Sequence, residues 1–552
     1  MGCAASTTTS ATSSTASTST TATTTVLSAS STSITASTSI TLTATVSPSA
    51  AAGTVTFYDS TTSLGNGTLS SGTASLATSF GTTGTHTLTA TYGGSTTYAA
   101  STSSAVTVTV TAASTSSGTC GYQDSTNSAY NTAVDAYTSG TNTLASATVA
   151  ASGTDESAVC AANSGTTLTL TNPTITSSSN TGDQTDSSSY GLDAAVLAYG
   201  SGTSTSTGAA MNITGGTVTT TGTFASGVYA AAATVNISGT TINTGGTGAH
   251  GLYCAEGAVM NITNVTATTT SGTASAVATD MGGCTMTVSG GTYSAAGVHS
   301  AGLYSTGTIT ATNATVSAGD SPVAVIDGSN TITANNSSLT GANGDGQGVK
   351  LFSSANSKAT ASKNYFTMTG GSLAYSCTAT ACSSLSASSG QSSPATLFVV
   401  TNATAVVSLT NVAVTNSATA LLEAGALTNG TSGENGGLVT FTASGTTLTG
   451  NVIVDDISTV SLYLTNSSTL TGAINNADTA SVASVTLDAT SSWTVTGTSY
   501  VTAIADPEIS TSTLSVSNIV GNGNTVYYLS SNNTALGGLT YTLSGGGYLK
   551  PH

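Results

Sequence analysis

The feature that most restricts this chain is a set of phrases that return every 22–26 residues. Gly227-Val228-Tyr229, Gly251-Leu252-Tyr253 and Gly302-Leu303-Tyr304 share one pattern. Ala276-Val277-Ala278 fills the remaining interval, so successive units lie 24, 25 and 26 residues apart. Asn212-Ile213-Thr214, Asn236-Ile237-Ser238 and Asn261-Ile262-Thr263 repeat at 24 and 25, and Leu448-Thr449-Gly450, Leu470-Thr471-Gly472 and Val495-Thr496-Gly497 at 22 and 25. Such a period, with short strand-like runs, many Gly turns and no helical pattern, predicts a parallel β-helix of about three strands per coil.

Stacking also accounts for the composition. Coils place like residues above one another, and uncharged Thr, Ser, Asn, Val and Ala tolerate this where columns of Lys or Glu would repel. Charged residues are 5% of the 552, against about 25% in ordinary soluble domains. The four positive charges are Lys350, Lys358, Lys363 and Lys550, there is no Arg, and 21 acids leave a net charge of −17. Nucleic acid is therefore not an expected partner, because phosphate binding needs a basic face. An anionic membrane surface is disfavoured for the same reason. Disorder goes with high charge and low hydropathy, whereas the mean hydropathy here is +0.20.

Residues 25–111 read differently, as short alternating strands between Gly- and Ser-rich turns: Ile40–Val46, Val55–Tyr58, His86–Tyr92 and Val106–Val110. That is the pattern of a sandwich of about ninety residues. Gly53-Thr54-Val55-Thr56-Phe57-Tyr58-Asp59, Gly84-Thr85-His86-Thr87-Leu88-Thr89-Ala90-Thr91-Tyr92 and Tyr98-Ala99-Ala100-Ser101 follow one another as in the bacterial Ig-like repeats of surface proteins, which this segment resembles. The resemblance implies a spacer or stalk without catalysis. The fold class expected is thus all-β, an N-terminal Ig-like β-sandwich followed by a long right-handed parallel β-helix.

The expected division is a Ser/Thr/Ala-rich linker or donor-strand-like tail at 1–24, the Ig-like domain at 25–111, a hinge at 112–119, a β-helix with its N-terminal cap at 120–440, and closing coils with a C-terminal cap at 441–552. The N-terminal cap is expected in 120–190, with Trp493 and the segment from Tyr527 to Tyr548 closing the other end. Leu470-Thr471-Gly472-Ala473-Ile474-Asn475 and Trp493-Thr494-Val495-Thr496-Gly497 resemble the closing coils of secreted adhesin-like β-helix proteins of pectate-lyase-like fold.

Cysteines stand at 3, 120, 160, 254, 284, 377 and 382. Six can form three bridges in an oxidising compartment, and neighbours in sequence, Cys120–Cys160, Cys254–Cys284 and Cys377–Cys382, are the simplest pairing. Cys3 stands apart. Gly2-Cys3-Ala4-Ala5-Ser6 resembles the end of a bacterial lipobox followed by a small-residue tether, which makes Cys3 a candidate lipid anchor; the other reading is an incidental thiol. The start lacks the charged and apolar regions of a signal peptide, so the expectation is another secretion route or a chain that begins after its signal.

The chemistry of sites is sparse. A pectate-type lyase uses Arg or Lys with Asp clusters, and here Arg is absent. A glycoside hydrolase needs two carboxylates at a set separation, and the adjacent acidic pairs are Asp155-Glu156 and Asp455-Asp456; the latter follows Val452-Ile453-Val454 and reads either as a strand-end pair or, preferably, as a solvated turn. Gly341-Ala342-Asn343-Gly344-Asp345-Gly346-Gln347-Gly348 lacks the later Glu of an EF-hand and the Lys-Ser/Thr of a P-loop. His86, His250 and His299 are singletons without metal-ligand spacing. Tyr229, Tyr253 and Tyr304 form either an aromatic ladder between coils or a sugar-stacking platform. No catalytic, cofactor or metal site is expected. The functional expectation is an extracellular, non-enzymatic, adhesin-like surface protein with a glycan or cell-surface ligand. A homopolymeric filament docked through the N-terminal strand or Ig-like domain is the second reading, a polysaccharide-active enzyme the third, and ice binding by Thr ladders the fourth.

Overall fold

The computed structural model describes residues 20–35, 39–82, 84–111, 118–123, 130–181, 184–200, 208–280, 282–342, 346–355, 358–377, 395–427 and 430–552. The chain divides into two compact units, residues 1–114 and 115–552.

The first unit is a sandwich of two sheets. Thr24–Ala29, Ser39–Ser47 and Thr73–Ser79 form one, and Ser33–Thr35, Val106–Thr111, Gly84–Tyr92, Thr54–Asp59 and Thr62–Thr68 the other, with Ser101–Thr102 paired to Gly84–Tyr92. Alternate residues of Ser39–Ser47 turn inward, as period-2 patterning requires. Leu42, Val55, Phe57, Leu88, Tyr92 and Val108 lie in the core between the sheets. Residues 20–24, expected in the linker, belong to this unit. The Thr21 N–H donates to Thr97 O at 2.8 Å, the Ala99 N–H donates to Thr21 O at 2.9 Å, and Thr24 begins a strand.

The second unit is a solenoid of stacked parallel strands. One coil shows the plan: Val228–Ala231 lies in a first sheet, Thr234–Ser238 in a second and Thr241–Thr244 in a third, after which Leu252–Ala255 returns to the first. The three sheets hold 13, 14 and 10 strands. Neighbours stack in register, so that Asn236 pairs with Asn212 and Asn261, and Tyr229 with Tyr253. Inward positions of the second sheet are mostly apolar, from Leu168 and Leu170 through Ile237 and Ile262 to Phe441 and Leu464, with Asn364 a buried polar exception.

Coils begin inside the segment expected to be the N-terminal cap. Tyr130–Tyr137 already pairs in parallel with Glu156–Ala162, and among the described residues of this unit Gly118–Gln123 stands before it as an antiparallel end strand. At the far end a nine-stranded sheet, starting at Thr447–Thr449, takes over from the third sheet and contains the antiparallel pair Tyr541–Ser544 and Tyr548–Pro551. Trp493 is fully buried and donates Nε1–H to Gly472 O at 2.9 Å. Tyr528 and Tyr541 are also buried in the closing region, with hydroxyls given to Leu539 O and Leu536 O.

The corner between second and third sheets has its own chemistry. The residue after most second-sheet strands is left-handed: Asn172, Asn264, Asn313, Asn336, Asn411 and Asn466 have φ between 46° and 54°, Gly215, Gly239, Gly290, Gly370 and Gly445 have φ between 62° and 67°, and Ser146, after the first strand, has φ 50°. Asn and Gly are the residues that reach this region at least cost, which is why they predominate at this corner.

Candidate functional site

Among the described residues, the acids and histidines singled out by sequence each make local contacts. Glu156 Oε2 accepts the N–H groups of Ser152 and Gly153 at 3.0 and 2.8 Å, so its carboxylate closes a turn. Asp455 accepts the local Ile457 N–H at 3.3 Å and the N–H of Ala426, 29 positions earlier, at 2.7 Å, while Asp456 is exposed. His86 binds Asp59 at 2.6 Å within the Ig-like domain. Burial opposes its charge, but hydrogen bonds to Asp59 and Thr82 outweigh this and raise its pKa. His250 is enclosed, which lowers its pKa to about 4, and its Nδ1 accepts the Ser275 N–H at 2.9 Å. Asn343, Gly344 and Asp345 of the Gly-rich turn, and Cys3 and Cys382, lie outside the described residues.

Two expected disulfides are present. Cys120–Cys160 ties the end hairpin to the first sheet, and Cys254–Cys284 joins successive coils. Cys377 is also disulfide-bonded.

Sequence reasoning missed Asp193. It is fully buried with Oδ1 accepting the Glu156 N–H at 3.2 Å, and Oδ2 has no hydrogen-bond partner. Burial, with the charge of Asp155 added, raises its pKa to about 7.

The tyrosines form a buried column. Tyr229 and Tyr253 meet edge to face at 5.0 Å and are 0% and 2% exposed, so they pack coil on coil. Tyr229 gives its hydroxyl to Ser188 O at 2.6 Å, and Tyr253 gives its hydroxyl to Asp280 at 2.8 Å. Tyr304, one level beyond Ala278, lines a hollow of about 150 Å³ with His299, Val325, Gln347, Lys350 and Phe352. Lys350 Nζ stands 4.8 Å over the Phe352 ring. Glu423 follows in the same column, two strands on from Lys350 across Val399.

The outer faces of the second and third sheets are the most regular surfaces. On the second sheet Asn236 Nδ2 donates to Asn212 Oδ1 and Asn261 Nδ2 to Asn236 Oδ1, both at 2.9 Å, an amide ladder along the coils. Thr287, Thr310, Thr333 and Thr367 continue the column. Tyr365 and Tyr463 stand out from this face, 37% and 39% exposed. On the third sheet one column runs Thr148, Thr174, Thr217, Thr241, Thr266, Thr292, Thr315, Ser338, Ser372 without a break. Two residues along each strand stand Thr176, Thr219, Asn243, Thr268, Ser294, Ser317 and Thr340.

Residues 27–111 match the family model of the bacterial Ig-like domain (group 3), so the first unit is an Ig-like domain of bacterial type. Neither a curated protein nor a solved structure matches the chain. An Ig-like domain of this kind, together with disulfide bonds, is compatible with an extracellular or surface location.

Proposed function

We propose that this is an extracellular, non-enzymatic, adhesin-like protein whose Ig-like domain spaces a β-helix that binds neutral glycan chains along its second sheet. The observation that carries this reading is the outer face of that sheet, where an amide ladder and exposed Tyr365 and Tyr463 lie along a surface of neutral side chains whose strands carry a charge at Lys363, its Nζ 5.3 Å over the Tyr365 ring. Amides supply paired donors and acceptors for sugar hydroxyls. Tyrosine supplies a flat apolar ring with a polar edge, suited to the face of a pyranose. One carboxylate of each acidic pair, Glu156 and Asp455, is engaged by backbone N–H groups, which supports binding over hydrolysis.

Affinity electrophoresis of the full chain against neutral polysaccharides tests the proposal. Retardation that persists in high salt and falls in Tyr365→Ala and Tyr463→Ala is expected, because contacts between neutral groups are not screened. Release of reducing ends by the wild-type protein would establish an enzyme instead. Regular filaments in negative stain, with no retardation, would establish the polymeric reading.

A further inference from the structure

The third sheet differs from the second in a way that points to another ligand. Its outward positions from Thr148–Ala151 to Ser372–Ser376 are Thr, Ser, Asn and Ala over the core of each strand, and its two tyrosines, Tyr293 and Tyr375, are buried inside. The one charge in these strands is Asp320, the last residue of Thr315–Asp320. A chain of net charge −17 thus keeps this net neutral. The hydroxyls of Thr174, Thr217, Thr241, Thr266, Thr292 and Thr315 make no hydrogen bond to other described residues, and each of these side chains is at least partly exposed.

Strand geometry fixes where those hydroxyls stand. Successive coils repeat at about 4.8 Å, and outward residues i and i+2 lie about 6.6 Å apart along the strand. The result is a two-dimensional net of like groups rather than a groove or a pocket. Threonine is stiff at χ1, so each hydroxyl and methyl is held near one position before anything binds. Preorganisation lets many weak contacts sum without a large ordering cost.

A single polysaccharide chain repeats in one direction and does not use such a net. The surface of an ice crystal repeats in two directions, is uncharged, and offers a water oxygen, as both donor and acceptor, at each lattice point. Its repeats on the prism face are close to the spacings of adjacent coils and alternate strand residues. The threonine methyls would sit over the voids of that lattice, and the hydroxyls would take lattice positions. Charged side chains would hold liquid-like hydration shells against it, and the core of the net has none.

We infer that the outer face of the third sheet is an ice-binding surface, its occupant the ordered water of an ice crystal. This goes beyond the adhesive reading, which rests on the second sheet, and the two stand or fall separately.

The test uses the purified full chain in ice-affinity partition and thermal hysteresis. The wild-type protein is expected to enter a slowly growing ice hemisphere and to lower the freezing point below the melting point. Thr241→Tyr and Thr266→Tyr, which raise bulk in the middle of the net, are expected to lose both effects while keeping the wild-type circular dichroism and glycan retardation. Thr287→Tyr and Thr310→Tyr, on the second sheet, are expected to keep both. Exclusion of the wild-type protein from ice overturns the inference, whatever the glycan result. Wild-type ice partition by the third-sheet variants, or its loss in the second-sheet variants alone, overturns the assignment to this face.

Discussion

Asn264 and Gly290 occupy the same corner of successive coils, and the Asn264 carboxamide oxygen fills the space where a β-carbon on Gly290 would stand. The same relation joins Asn172 to Gly215, Asn336 to Gly370 and Asn411 to Gly445. Two penalties therefore meet in Gly290→Ala, a left-handed φ of 67° and a steric overlap. The conformational part alone costs roughly 1–2 kcal/mol. Urea denaturation should show a larger loss than that in Gly290→Ala, and part of it should return in Asn264→Gly/Gly290→Ala. Additive effects in this double-mutant cycle would show that the two residues do not press on each other.

Cys254–Cys284 closes 30 residues and Cys120–Cys160 closes 40. Chain-entropy reasoning assigns each about 3–4 kcal/mol through restriction of the unfolded chain. Cys254→Ala/Cys284→Ala should lower the denaturation midpoint accordingly. Reducing agent should destabilise the wild-type protein more than this variant, because Cys120–Cys160 remains in both. Equal sensitivity would mean that the 254–284 bridge contributes nothing.

Two buried groups give opposite pH dependences. Asp193 has a folded pKa raised to about 7 from 3.8, so its contribution to stability is complete below about 4 and is lost as pH rises through 7. Asp193→Asn should therefore be more stable than wild type at pH 8, by on the order of a few kcal/mol, and this advantage should shrink towards pH 4. His250 has a folded pKa lowered to about 4 from 6.5, so its contribution is present above 6.5 and is lost as pH falls through 4. His250→Gln, which keeps an acceptor for the Ser275 N–H, should lose less stability than wild type between pH 6.5 and 4. Thermal melts of the three proteins across pH 4–8 measure both differences.

Tyr229 tethers the short helix Gln184–Tyr190 to the first sheet through its hydroxyl and Ser188 O. Tyr229→Phe should lower the free energy of local opening of this helix by about 1 kcal/mol and leave the coil packing intact. Its local signature is faster proteolytic cleavage within 184–190 at unchanged global midpoint, and unchanged cleavage there would count against the tether.

Much of this molecule is legible from its residues. The return of Asn-Ile-Thr at 24 and 25 residues gives the coil length, because each coil must bring like residues back to one column. Alternation in Ser39–Ser47 and in Thr234–Ser238 gives strand type and inner face directly. The sparse charge follows from the same stacking. These are local or periodic properties, written in neighbouring positions.

What the sequence left open depends on groups far apart in the chain. Val228–Ala231 is buried on both sides, so it carries no alternation to say that its outer side is covered by residues some forty positions earlier. That cover decides between the two readings of Tyr229 and Tyr253, as packing rather than platform. Asp193 looks like any other acid until the coil of Glu156 closes over it. The third-sheet net exists because coils of unequal length, such as those from Thr174 to Thr217 and from Thr217 to Thr241, return to a common register. Local patterning determined which residues form strands and which side of most strands is apolar; the stacking of distant coils decided which surfaces are covered, which acids are buried and where the hydroxyls align.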